Sequence, residues 1–188
     1  MMAAQGCLDV GTPPMFDAVF GDGGEMSSYR YVLQRSTRIG EPYCCWVMLN
    51  PSIATPTVDD PTIRRVTRFS ARWGFHNFVV VNLFALRSTD PSVLKEAAQP
   101  IGPLNDLHII EQAMGSPMVV CAWGNHGMLH GRDAAVVKML HKRGINLFAV
   151  EVTPRGVPRH PLYLNYRDKP MLWQPAVAPV RLRVSKRH

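Results

Sequence analysis

Four short, almost unbroken apolar runs constrain this chain most: 43–49, 78–83, 118–123 and 145–150. Runs of this length suit strands buried on both faces better than helices. The first stops abruptly at Asn50-Pro51, because proline cannot continue a central strand. Helical signals fill the gaps. Asp60 is placed to cap a helix with Pro61 as its first residue, and Ile63, Val66, Phe69 and Trp73 recur at helical spacing up to Gly74. Pro91 opens a short helix, and further helices are expected over 105–114 and 133–142, while 29–34 alternates like an early strand. Strand alternating with helix is the order of an α/β domain built on a largely parallel sheet. At 188 residues the chain is one domain in length. The expected division is an extended lead-in over 1–25, rich in Gly, Pro and Met, the α/β domain over 26–175, and a basic tail over 176–188.

In such sheets ligands bind outside the carboxyl ends of the strands. The residues in those positions are Asn50-Pro51-Ser52, Asn82-Leu83-Phe84, Trp123-Gly124-Asn125-His126 and a loop over 153–164 containing Arg159-His160-Pro161-Leu162-Tyr163-Leu164. Amides, a tryptophan and a histidine supply hydrogen-bonding groups beside flat apolar surface, which suits a heterocyclic base better than a triphosphate. The chain has no GxxxxGK[ST] loop, GxSxG elbow or HExxH pair, and Gly21-Asp22-Gly23-Gly24 precedes the first expected strand, the wrong context for a dinucleotide fingerprint. His126 and His130 lie four apart without a third ligand at matching spacing, so no metal is expected. Cys7, Cys44, Cys45 and Cys121 form no CxxC pair and read as reduced thiols rather than zinc or iron–sulfur ligands. No cofactor is implied.

The formal charge of +7 is unevenly spread. Asp9, Asp17, Asp22 and Glu25 sit at the front, whereas Arg155, Arg159, Arg167, Lys169, Arg181, Arg183, Lys186 and Arg187 load the last segment. Arg64, Arg65, Arg68 and Arg72 form another group, with Arg64, Arg68 and Arg72 on one helix face, and Arg87 follows a strand end. Such a surface suits a polyanion, of which nucleic acid is the commonest. No apolar run approaches the roughly 18 residues of a membrane span, and no secretory pattern opens the chain, so a soluble, cytoplasmic monomer is expected.

The motifs Met48-Leu49-Asn50-Pro51-Ser52, Asp59-Asp60-Pro61-Thr62-Ile63-Arg64-Arg65, Asn82-Leu83-Phe84-Ala85, Ala122-Trp123-Gly124 and His160-Pro161-Leu162-Tyr163-Leu164 closely resemble the bacterial and phage family called domain of unknown function 1643, over roughly residues 29–174. The same order is similar to the uracil-DNA glycosylase superfamily, with Asn50-Pro51, Asn82, Trp123-Gly124 and His160-Pro161 in the motif positions. That resemblance implies a three-layer αβα fold with a central, largely parallel sheet of four to five strands. It also implies a monofunctional DNA glycosylase that flips a base and hydrolyses its N-glycosidic bond, leaving an abasic site. Asn50 would orient the attacking water, alone or with Asp59, and His160 would face the base carbonyl oxygen. Asn82 would meet the base edge, with Pro51, Ser52, Phe84, Trp123, Gly124 and Asn125 around it. Tyr163 or Leu164 would be the wedge left in the duplex, and Arg87, Arg155 and Arg159 would meet DNA. The family's setting points to a modified or damaged pyrimidine, such as a hydroxymethylated or glucosylated cytosine in antiviral defence. After His-Pro this chain reads Leu-Tyr-Leu where that superfamily usually has Ser-Pro-Leu.

Plainer roles stand beside these. Asn50-Pro51 reads equally as a turn closing a strand, Asp60 as a cap, Trp123 as core, and His160 as the partner of a loop carbonyl. A non-catalytic module sensing unusual bases and a nucleoside or nucleotide hydrolase are the competing functions.

Overall fold

The computed structural model describes residues 15–175 apart from 23, 53, 56 and 167. The basic tail over 176–188, the first part of the lead-in, Cys7 and Arg167 lie outside the described residues. Seven strands form one sheet: β1 (Met15–Phe20), β2 (Arg30–Ser36), β3 (Tyr43–Met48), β4 (Asn77–Asn82), β5 (Met118–Cys121), β6 (Leu147–Ala149) and β7 (Met171–Leu172), in the order β1-β2-β4-β3-β5-β6-β7. The helices are α1 (Pro61–Arg72), α2 (Val93–Glu96), α3 (Asn105–Met114) and α4 (Arg132–His141).

The four apolar runs are the central strands, and β4-β3-β5-β6 pair in parallel. Their side chains alternate between two cores. Cys45, Val47, Val79, Val81, Val119 and Cys121 pack with Ile109 and Ala113 of α3 and Val136 and Leu140 of α4. Cys44, Trp46, Met48, Phe78, Val80 and Val120 pack with Ile63, Val66 and Phe69 of α1. Burial on both faces is why the runs read as unbroken rather than alternating. The three cysteines among the described residues are buried free thiols, and burial pushes Cys45 up to about 12.

The sheet is larger and more mixed than four or five largely parallel strands. β1 pairs antiparallel with β2, β2 antiparallel with β4, and β7 antiparallel with β6. Part of the anticipated lead-in is thus the edge strand β1. Met15, Asp17 and Val19 of β1 are exposed, Ala18 and Phe20 are only half-buried, and both residues of β7 are exposed, so neither edge strand has the continuous apolar run of the central ones.

α1 begins and ends where its sequence signals lie. The Asp60 carboxylate accepts from the Ile63 N–H at 2.8 Å, Pro61 opens the helix, and Gly74 follows it with φ +89°. Beneath it Trp46 stacks on Trp73 at 5.2 Å, and its Nε1–H donates to the Ser70 hydroxyl at 3.0 Å, so no polar atom of the tryptophan is left unpaired. Arg64, Arg68 and Arg72 are exposed. No helix among the described residues is long and apolar enough to cross a membrane.

Candidate active site

Because β4, β3, β5 and β6 run parallel, their carboxyl ends share one edge, and a cavity of about 640 Å³ opens there. Asn50, Ser52, Asn82, Trp123, Gly124, Asn125, Arg159, His160 and Tyr163 all line it, as do Asp60 and Arg30.

Asn50 follows β3 directly. Its side-chain N–H group donates to the carbonyls of Ser88 at 2.8 Å and Pro51 at 3.2 Å. Since both partners are acceptors, the amide orientation is determined and Oδ1 is the atom left for the cavity. The Ser88 N–H returns a bond to the Pro51 carbonyl at 2.9 Å, closing a small network between the two loops. Pro51 is buried and braces this network instead of lining the cavity. At the end of β4, Asn82 is buried, and its side chain makes no hydrogen bond to any described residue. Its carbonyl is held by the Asn105 side chain at 2.9 Å, which ties α3 to the strand end.

Trp123 is both core and cavity wall. It meets Trp173 edge-on at 5.6 Å and is backed by Gly127, where a Cβ would come within 2.2 Å of the indole. Gly124 takes φ +69°, a conformation that favours glycine, and its N–H donates to the Pro158 carbonyl at 2.9 Å. This bond brings the β5 end against the segment entering His160. Asn125 accepts from the Thr153 hydroxyl at 3.0 Å.

The His160 loop is held from α1. The Arg65 guanidinium donates from Nε to the Pro161 carbonyl at 2.7 Å and from Nη2 to that of Leu164, and it lies 4.2 Å over the Tyr166 ring. Nδ1 of His160 accepts from the Leu162 N–H at 3.4 Å, a long contact that leaves Nε2 as the donor of the neutral ring. Burial lowers the imidazole from 6.5 to about 4, outweighing the opposing pull of the Asp60 carboxylate. The ring is therefore uncharged at neutral pH.

This shift has a consequence for stability. Between about pH 6.5 and 4 the unfolded chain binds a proton at His160 and the native one does not, so stability falls as pH drops through that window and levels off below it. The contribution is roughly 3 kcal/mol at most. Urea midpoints at pH 7.5 and pH 4.5 should therefore differ less in His160→Gln than in the parent; equal differences would sink the assignment.

Several expected site residues lie elsewhere. Asp59 is not in the cavity: its carboxylate pairs with Arg35 at 2.7 Å beside a second cavity of about 310 Å³ lined also by Thr67 and Ala71 of α1. The carboxylate lining the main cavity is the cap, Asp60. Phe84 is fully buried against the α3–α4 face and contacts no ligand space. Leu164 is only 5% exposed and packs with the α1 core, its carbonyl held by Arg65, and is not among the cavity-lining residues. Tyr163 is 70% exposed and lines the cavity, with exposed Leu162 beside it. Arg87 donates to the carbonyls of Glu25 and Ser27 and lies 5.3 Å over Phe20, away from the cavity. Arg155 is exposed in the tight turn over 153–156, and Arg159 pairs with Glu151 at 2.7 Å. Arg30, Asp60, Ser88 and Thr89 are lining residues that strand-end reading missed. Only Asp60 carried a signal, and that signal was for a cap.

Among the described residues no group of three His, Cys, Asp or Glu side chains is placed to hold a metal. No curated protein and no solved structure matches the chain significantly. The family model described as Protein of unknown function (DUF1643) matches residues 30–162, which span the sheet from β2 through every strand end that builds the cavity. The chain belongs to that family.

Proposed function

We propose that this protein is a DNA glycosylase that hydrolyses the N-glycosidic bond of a modified or damaged pyrimidine, leaving an abasic site. The observation that carries the reading is the convergence of Asn50, Asn82, Trp123 and a neutral His160 on one cavity at the strand ends. Helices packed on both faces of the sheet agree with the layered architecture of the uracil-DNA glycosylase superfamily. In the reaction, water adds to the sugar C1′ as the C1′–N bond breaks and its electron pair leaves with the base. Oδ1 of Asn50 accepts a hydrogen bond from that water and orients it. The Asp60 carboxylate, also lining the cavity, takes the proton the water sheds. The His160 Nε2–H faces the base carbonyl, where negative charge grows. A neutral donor serves here without first having to lose a buried charge. The cavity volume has room for a base larger than uracil, in keeping with a hydroxymethylated or glucosylated cytosine and a role in antiviral defence.

The purified protein, incubated with DNAs of different base content, is expected to release free base and leave alkali-labile sites from one of them. No release from any substrate would overturn the reading. One observation favours a second one, hydrolysis of free nucleosides or nucleotides: Arg87 is engaged by the carbonyls of Glu25 and Ser27 rather than presented to a backbone. Failure of duplex DNA to compete with nucleoside turnover would select that alternative.

A further inference from the structure

The proposed reaction leaves one lining group unused. Arg30 opens β2 and is only 2% exposed, yet it lines the cavity. One nitrogen, Nη1, donates to the Ala54 carbonyl; Nε has no partner, and Nη2 makes no hydrogen bond to any described residue. No carboxylate lies within ion-pair distance of it among the described residues. The nearest acidic influence, Asp60, spends one oxygen on the α1 cap. Arg35 and Arg87 add repulsion. Burial lowers the guanidinium to about 10, so it remains charged at neutral pH. Arginine is almost never buried without a paired anion, because the desolvation cost needs an opposing charge.

Resting on the reading of this cavity as a base pocket, we propose that Arg30 is its anion-reading residue. Its guanidinium takes a planar group with negative charge shared between two adjacent acceptors. Two sources fit that chemistry: the O–C–O of a carboxylate substituent, or the O–C–N edge of a deprotonated base. The planar fork of arginine matches either one through parallel N–H donors. His160 supplies a hydrogen bond to the base carbonyl but, uncharged, no net positive charge, so the charge that favours an anion comes from Arg30.

Calorimetric titration of the full chain with three free pyrimidines tests this. Uracil offers a neutral ring, 5-nitrouracil a ring already deprotonated near neutral pH, and uracil-5-carboxylate a carboxylate on a neutral ring. At least one anion is expected to bind about tenfold more tightly than uracil. Preference for 5-nitrouracil alone identifies the departing base as the ligand, and preference for the carboxylate alone identifies a substituent. Arg30→Gln should erase the preference and Arg30→Lys should keep part of it. Equal affinity for all three, no binding of either anion, or a preference that survives Arg30→Gln overturns the proposal. Should the Arg30 variants fail to fold, the arginine side-chain 15N resonances of the unaltered protein decide. Among the described residues Arg30, Arg35 and Arg132 are the buried arginines; addition of the preferred anion must shift the Arg30 guanidinium, and a shift confined to the other arginines overturns the assignment. These titrations break no bond. Absence of base release from DNA therefore leaves the affinity ratio standing, while equal affinities alongside retained base release remove the anion site alone.

Discussion

Replacing His160 by alanine is expected to slow base release by about two to three orders of magnitude while changing DNA affinity less than about threefold. In the proposed reaction the imidazole donates to an oxygen that becomes strongly basic only as the glycosidic bond breaks, so its contribution belongs to the transition state. Its position at the cavity, with Nδ1 satisfied by the Leu162 N–H, leaves Nε2–H as the donor. Because burial keeps the ring neutral down to about pH 4, the parent's single-turnover rate should show no His160 titration between about pH 5 and 8. Single-turnover kinetics with enzyme in excess checks both points. A rate loss below about fivefold, or one arising wholly from weaker DNA binding, would remove His160 from the chemistry.

Arg65→Ala is expected to carry the next largest effect, on stability and rate together. Truncation removes two charge-assisted hydrogen bonds, to the Pro161 and Leu164 carbonyls, and the stacking of the guanidinium on Tyr166. Charged hydrogen bonds contribute about 1.5–3 kcal/mol each and the ring contact less, and such terms do not add fully. A net loss of about 3 kcal/mol follows, readable as a lower urea midpoint. The same bonds hold the segment that presents His160, and a displacement of about 1 Å at a reacting centre costs on the order of a hundredfold. Arg65→Lys should not restore the rate, since an ammonium cannot reach both carbonyls with the arginine fork. Recovery of full activity in that lysine variant would show that charge alone, rather than the clamp, supports the loop.

The parts of the fold legible from sequence are those where local and global demands agree. β3, β4 and β5 are buried on both faces, so their apolar runs need no partner to be recognised. α1 carries its own start and stop in Asp60-Pro61 and Gly74. Asn50, Asn82 and Trp123 were found through one inference: residues after parallel strands meet at a common edge. The same inference reached His160, in the loop that follows the last parallel strand.

Other features depended on neighbours distant in sequence. Asp59 and Asp60 are chemically identical and adjacent. Only the direction of the chain entering α1 sends one to Arg35 and the other to the cavity. Leu164 and Tyr163 likewise divide into core and rim because Arg65, about a hundred residues earlier, draws the Leu164 carbonyl inward.

The sequence by itself determined that a polar pocket would form where the apolar strands end. Hydrophobic burial aligns those strands, and Asn50-Pro51 at the end of β3 must then leave the sheet. Only the tertiary structure decided what else faces that pocket. β2 runs antiparallel to β4, so its first residue, not its last, lies at the edge where the parallel strands finish. Strand direction is set by long-range pairing, which leaves no mark on local composition. It places a buried Arg30 in the wall of the cavity that Asn82 and His160 also line.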